Sequence, residues 1–155
     1  MTIRLHPLQQ KDFSTWFESA VAEYTRDLLA TGLVAELARE QARTKLTGYF
    51  PQGEPLAGHV VFTIVDGEEN QVGYFWIGPD TSDDPAAWWV WDIFVAAAER
   101  GLGYGRAAMI LGEKYARSQG AATLGLNVFG ANRSAQALYL SLGFEITNIQ
   151  MRKEL

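Results

Sequence analysis

No cysteine occurs anywhere in this chain. That absence removes a disulfide frame, a thiolate metal site and a cysteine nucleophile together, so any group transfer must use other side chains or pass directly between two substrates. Histidine is nearly absent too: His6 and His59 stand far apart in strand-like contexts, each reads as a satisfied surface or core residue, and no metal-ligand spacing exists. No apolar run approaches the roughly 18 residues of a membrane span, and the start "MTIRLHPLQQ" lacks the basic-then-apolar order of a signal peptide. We expect no membrane partner and a cytoplasmic location. Basic residues are also few. The 13 Lys and Arg against 18 Asp and Glu leave a net charge of −5, which argues against a nucleic-acid partner, because phosphate neutralisation needs clustered cations.

The charge is unevenly spread. Residues 1–90 carry 13 acidic and 6 basic side chains, a net −7, whereas residues 91–155 carry 5 and 7, a net +2. A cationic partner on the first half and an anionic one on the second fit this bias, and so does plain solvated acidic surface. The 155 residues, 48% of them apolar, suit one domain, 1–155, with a sizeable core.

Periodicity divides the chain into elements. "TIRLHPL" reads as a short strand. "KDFSTWFESAVAEYTRDLLATG" places Phe13, Phe17, Ala20, Val21, Tyr24 and Leu28 near a 3.6-residue period and stops at Gly32, and "VAELAREQARTKLTGYF" reads as a second helix ending before Pro51. Two β-rich runs flank "DGEEN" as a hairpin, "TSDDPAA" is a loop, and "WWVWDIFV" is an aromatic-rich strand. Residues 104–119 read as a helix with Ala107, Ala108, Ile110, Leu111 and Tyr115 inward, closed by Gly120. "ATLGLNVF" reads as a strand. A helix capped by Asn132 follows, with Ala135, Leu138, Tyr139 and Leu142 on one stripe and Gly143 at its end, and "FEITNIQMRKEL" supplies a last strand. The order βααβββαβαβ predicts an α/β domain with a mixed sheet.

Between the aromatic strand and the third helix lies "ERGLGYGR", with glycines at every second position behind Arg100. Glycine costs about 1 kcal/mol relative to alanine in a helix, so this run suggests bare backbone approaching an oxyanion at a helix N-terminus. It is not a P-loop, because Arg106 and Ala107 follow Gly105 where Lys and Ser or Thr are required. It is not the dinucleotide fingerprint either, since Arg106 takes the sixth position and no acid stands about 20 residues on.

The strand "DIFV", the loop "ERGLGYGRAAM", the strand "LGLNVF" and the helix "ANRSAQALYLSLGFE" together resemble the GNAT superfamily of acyl-CoA-dependent N-acyltransferases, closely over residues 88–155 and by element order over most of the chain. The resemblance implies a GNAT-type mixed sheet with a splay between its fourth and fifth strands, flanked by about four helices. It implies acetyl-CoA as cosubstrate, with its pyrophosphate on Arg100, Gly101, Leu102, Gly103, Tyr104, Gly105 and Arg106 and its pantetheine along the backbone of Ile93, Phe94 and Val95. Tyr139 matches the family's general acid for the departing thiolate, and Asn127 and Asn132 match positions that contact the cofactor. Asn132 also has a structural reason to exist as a cap, and Tyr139 could equally be a packed aromatic.

An acceptor amine must lose a proton to attack. Asp92 is the candidate base, because alternation would put Val90, Asp92 and Phe94 on one strand face amid tryptophans; a hydrogen-bonded or ion-paired carboxylate at the sheet surface is the equal alternative. Trp16, Tyr24, Trp76 and Trp88 are places to look for the acceptor pocket. The expected partner is a small-molecule or peptide amine, with a cationic acceptor fitting the acidic half; a homodimer stays open. The competing function is a non-catalytic acyl-CoA-binding module.

Overall fold

In the computed structural model, which describes residues 2–155, five strands form one sheet in the order β1 (Arg4–Pro7), β2 (Val60–Val65), β3 (Gln71–Pro79), β4 (Ala87–Val95) and β5 (Thr123–Leu126). The first four pair antiparallel, and β5 joins β4 in parallel. Such a parallel pair needs a crossover, and α3 (Tyr104–Ser118) supplies it.

The two faces of the sheet carry different helices because the long strands β2 and β3 are apolar on both sides. On one face α1 (Phe13–Ala30) and α2 (Ala35–Tyr49) bury Trp16, Ala20, Val21, Ala42 and Leu46 against Val61 and Trp76. On the other, α3 buries Ala108, Met109 and Ala116 against Phe62, Phe75, Ile77 and Val90. The β2–β3 turn is fixed by Asp66, whose Oδ1 accepts from the Glu68 and Asn70 backbone N–H groups at 2.8 Å each.

Three expectations are corrected. The segment 144–155 forms no strand: after Phe144, Ile146, Ile149 and Met151 are 67, 69 and 89% exposed, and no ladder with a neighbouring strand forms to hold the segment extended. In α3, Ala107, Ala108, Leu111 and Tyr115 pack on the core as expected, but Met109 is buried and Ile110 is 52% exposed, so the expected stripe fails at that one position. The strand expected over "ATLGLNVF" stops at Leu126, which leaves Asn127 exposed just beyond its end rather than inside it.

Gly112 explains how closely α3 seats on the sheet. A Cβ there would lie 2.3 Å from the Phe75 ring, so only a bare backbone lets the helix reach β3. A Cβ at Gly48, in α2, would meet nothing within 4 Å. Gly112→Val should therefore lower the unfolding free energy by about 1–3 kcal/mol through overpacking, whereas Gly48→Ala should raise it by up to about 1 kcal/mol. Urea midpoints at unchanged m-value measure both.

Candidate active site

The site begins with an irregularity in β4. Trp76 pairs with Asp92 but Ile77 pairs with Val90, so Trp91 is an extra residue bulged out of the ladder. The alternation expected for Val90, Asp92 and Phe94 is broken there. Val90 enters the α3-side core, while Asp92 and Phe94, opposite Trp76 and Tyr74, turn to the face covered by α1 and α2.

The same strand parts from its neighbour at this point. Pairing with β5 runs from Ala87↔Thr123 to Val90↔Leu126 and stops, although β4 continues to Val95 on β3. The splay expected between the fourth and fifth strands is present, and the β5-facing backbone of Ile93, Phe94 and Val95 has no strand beside it. A cavity of about 160 Å³ opens at the parting, and Asp92, Ile93, Asn127, Asn132 and Tyr139 all line it. Five residues picked from three separate stretches of sequence thus meet at one place.

Their local roles follow from the elements that carry them. Asn132 caps α4 (Arg133–Ser141), its Oδ1 accepting from the Ala135 N–H at 3.3 Å, so the structural reason for this residue holds. Tyr139 stands two turns into α4, half-buried, with Phe144 edge-on at 5.9 Å between centroids. Burial and the nearby Asp92 charge push the Tyr139 phenol up, so it keeps its proton. Burial pushes the Asp92 carboxyl up to about 7; the negative charges of Asp27 and Glu23 add to this, and the Ile93 backbone and Lys45 oppose it. A carboxyl of that pKa exchanges protons near neutrality, and a protonated phenol beside it can donate one.

The glycine run forms the turn into α3. Gly101 and Gly103 have φ of 79° and 90°, which L side chains rarely adopt, and Gly103 sits at the N-cap without any capping side chain. Among the described residues, no N–H group from Leu102 to Arg106 finds an acceptor within the chain. Gly105 is different: its φ is not positive, and a Cβ there would touch only Leu138 Cδ2 at 3.6 Å, so neither strain nor packing requires a glycine. What it leaves open is a cradle lined by unpaired donors, suited to an oxyanion. Arg100 lies beside it, donating from Nε to the Val95 carbonyl at 2.9 Å with its guanidinium 5.7 Å from the Phe94 ring centre. Arg106 donates to Ser141 on α4.

Of the aromatic residues expected near an acceptor, Tyr24 and Trp76 line the cavity, but Trp16 and Trp88 are core residues, 1 and 6% exposed. Trp88 faces α3 and Tyr115, because the bulge that turns Asp92 lies after it. His59 accepts a hydrogen bond from Trp76 Nε1 at 3.1 Å, and burial lowers its pKa, which fits the satisfied histidine expected; His6 is exposed on β1. Sequence reasoning missed Asp27, Lys45, Trp89 and Trp91, which also line the cavity. Asp27 and Lys45 belong to ordinary amphipathic helices, and only their charge among apolar neighbours could have marked them.

The profile of the acetyltransferase (GNAT) family matches residues 4–144. The chain belongs to this family. It is 28% identical over the whole of both chains to the uncharacterized N-acetyltransferase YycN of Bacillus subtilis, and the crystal structure of YycN superposes with a TM-score of 0.91 over 99% of each chain. Mycothiol acetyltransferase of Rhodococcus opacus is 31% identical over 69% of this chain, which spans 34% of that longer protein. A Pyrococcus furiosus structure at 23% identity and TM-score 0.68, covering 99% of each chain, shares the fold.

In this acetyltransferase Asp92 also couples stability to pH. Its carboxyl rises from the usual 3.8 to about 7 on folding, so the folded state binds the proton more tightly. The resulting stabilisation is complete below the unfolded value and is lost as pH climbs from about 4 through about 7. Asp92→Asn, which cannot ionise, should therefore gain stability relative to the wild type across that window and hold a constant advantage above it. Urea unfolding at several pH values reads this directly.

Proposed function

We propose that this family member is an acetyl-CoA-dependent N-acetyltransferase that moves the acetyl group directly to a primary amine of a small molecule or peptide. The observation that carries the reading is the meeting of Asp92 and Tyr139 at one cavity where β4 and β5 part. An acid and a base with separated proton affinities, set beside free strand backbone, are what transfer from a thioester to an amine requires.

The cosubstrate's pyrophosphate would lie on the N–H groups of residues 102–106 and on the positive end of the α3 dipole, with Arg100 and Arg106 as charge partners. Its pantetheine would run beside Ile93, Phe94 and Val95 in the position a further strand would take. A backbone N–H near Phe94 or Val95 would then face the thioester carbonyl and stabilise the oxygen as it becomes anionic, a contact worth about 3–4 kcal/mol.

The acceptor arrives as an ammonium and must shed a proton. Asp92 takes it, and the acidic neighbours Asp27 and Glu23 favour a positive charge at that end of the cavity. The amine nitrogen bonds to the thioester carbon, the carbon–sulfur bond breaks, and Tyr139 gives its proton to the leaving sulfur. Two protons leave the ammonium in all; one restores Tyr139 and the other ends in solvent. Without a cysteine no acyl-cysteine intermediate forms, and direct transfer with donor and acceptor bound together follows more naturally than a two-stage route.

Gly105→Glu tests the cradle, since a side chain at this position meets only Leu138 within the fold but places a carboxylate where phosphate would bind. Calorimetry should show acetyl-CoA affinity lost while the circular dichroism spectrum is kept; undiminished affinity would move the site elsewhere. Tyr139→Phe should lower kcat by about 10- to 10⁴-fold with little change in acetyl-CoA affinity. Wild-type turnover at saturating amine would remove Tyr139 from the chemistry. Acetyl-CoA binding without thiol release on any amine would instead favour the non-catalytic binding module.

A further inference from the structure

The cavity holds one cation that the chemistry above does not use. Lys45 of α2 lines it together with Asp27 of α1, Asp92 of β4 and Tyr139 of α4. Its Nζ donates to the Tyr24 hydroxyl at 3.3 Å and stands 4.4 Å from the Tyr24 ring centre and 5.9 Å from that of Trp91. Among the described residues no carboxylate comes within 4.0 Å of it, although two line the same cavity. Among the described residues Asp27 likewise makes no ion pair, its neighbours Glu23 and Arg26 being joined to each other.

This arrangement is uneconomical for a site meant only for cations. Asp27 and Lys45 are both solvent-exposed at the rim of the cavity, where pairing would gain little, and Lys45 instead rests on two aromatic faces with N–H donors to spare. Held by Tyr24 and Trp91, it is positioned before any ligand binds, so little side-chain freedom is lost on binding. A ligand carrying an ammonium alone would meet Asp27 and Asp92 favourably and Lys45 unfavourably. A ligand carrying both signs satisfies all three.

Resting on the N-acetyltransferase reading above, we propose that the acceptor is an amino acid-type molecule, whose amine is directed to Asp92 and Asp27 while its carboxylate is held by Lys45. Lys45 is then a specificity-determining residue of the acceptor site. It reads a group that does not react, and the aromatic rings that position it also form the wall against which the acceptor's apolar part lies.

The experiment compares three matched panels with the full chain and acetyl-CoA, following thiol release: free amino acids, their carboxamides and the corresponding decarboxylated amines. Free amino acids should give kcat/KM at least about 10-fold above their partners. Lys45→Met, which keeps the length of the stem and removes the charge, should raise KM for the amino acid by about 10- to 100-fold, the range for a hydrogen bond to a charged group, with kcat within about threefold. The preference over carboxamides should collapse in that variant and return in Lys45→Arg. Equal efficiency with carboxamides or amines, or a Lys45→Met variant with unchanged KM, overturns this inference and leaves the N-acetyltransferase reading standing. No thiol release with any of the three classes also overturns this inference, whereas the N-acetyltransferase reading falls only if peptide N-termini and polyamines run alongside fail as well.

Discussion

One extra residue in β4 governs the rest of the site. The ladder of β3 and β4 is regular up to Val90 and regular again from Asp92, and the bulge at Trp91 between them reverses which face each side chain meets. Val90 completes the α3-side core, and Asp92 is carried across to the side of α1 and α2. Without the bulge, Asp92 and Val90 would share a face, and the carboxyl would have to displace the apolar packing on which α3 rests. The parting of β4 from β5 begins at the same residues, so the open backbone and the turned carboxyl arise from one local distortion.

The electrostatics of the cavity follow from that placement. Burial raises the Asp92 carboxyl, and Asp27 and Glu23 raise it further by like charge. The effect reaches Tyr139, whose proton is held the more firmly for facing Asp92. Two groups that would be far apart in acidity in water are thereby arranged so that one can accept a proton near neutrality while the other keeps its own until a strong base forms beside it.

Much of this was legible in the sequence, and for physical reasons. Helix α1 shows its 3.6-residue stripe, the β2–β3 hairpin shows paired apolar runs around "DGEEN", and Asn132 announces α4 by the chemistry of its cap. The glycine run stood out because three glycines ahead of a helical pattern carry a folding cost visible residue by residue, and Gly101 and Gly103 prove to sit at positive φ. What stayed hidden depends on neighbours distant in the chain. A bulge is a mismatch between two strands, so reading β4 alone put Val90 and Asp92 on one face. Ile110 looked inward until the Phe75–Gly112 contact set the rotation of α3. Segment 144–155 alternates like a strand but has no edge paired with it, and Asp27 and Lys45 matter only because α1 and α2 bring them to the same cavity.

The seat of α3 on Phe75 also acts as a fulcrum. Gly112 lies eight residues along the helix from Tyr104, a distance of about 12 Å at about 1.5 Å of rise per residue. A tilt of only about 5° about that contact would swing the helix entry by about 1 Å, the scale on which misplaced reactants lose about a hundredfold in rate. Phe75 itself is fully buried in β3, opposite Ile93 in the strand that carries Asp92. The contact between one ring and one missing side chain therefore aligns two lever arms, the helix entry on one and the Asp92 carboxyl on the other, and core packing sets the tolerance to which they meet.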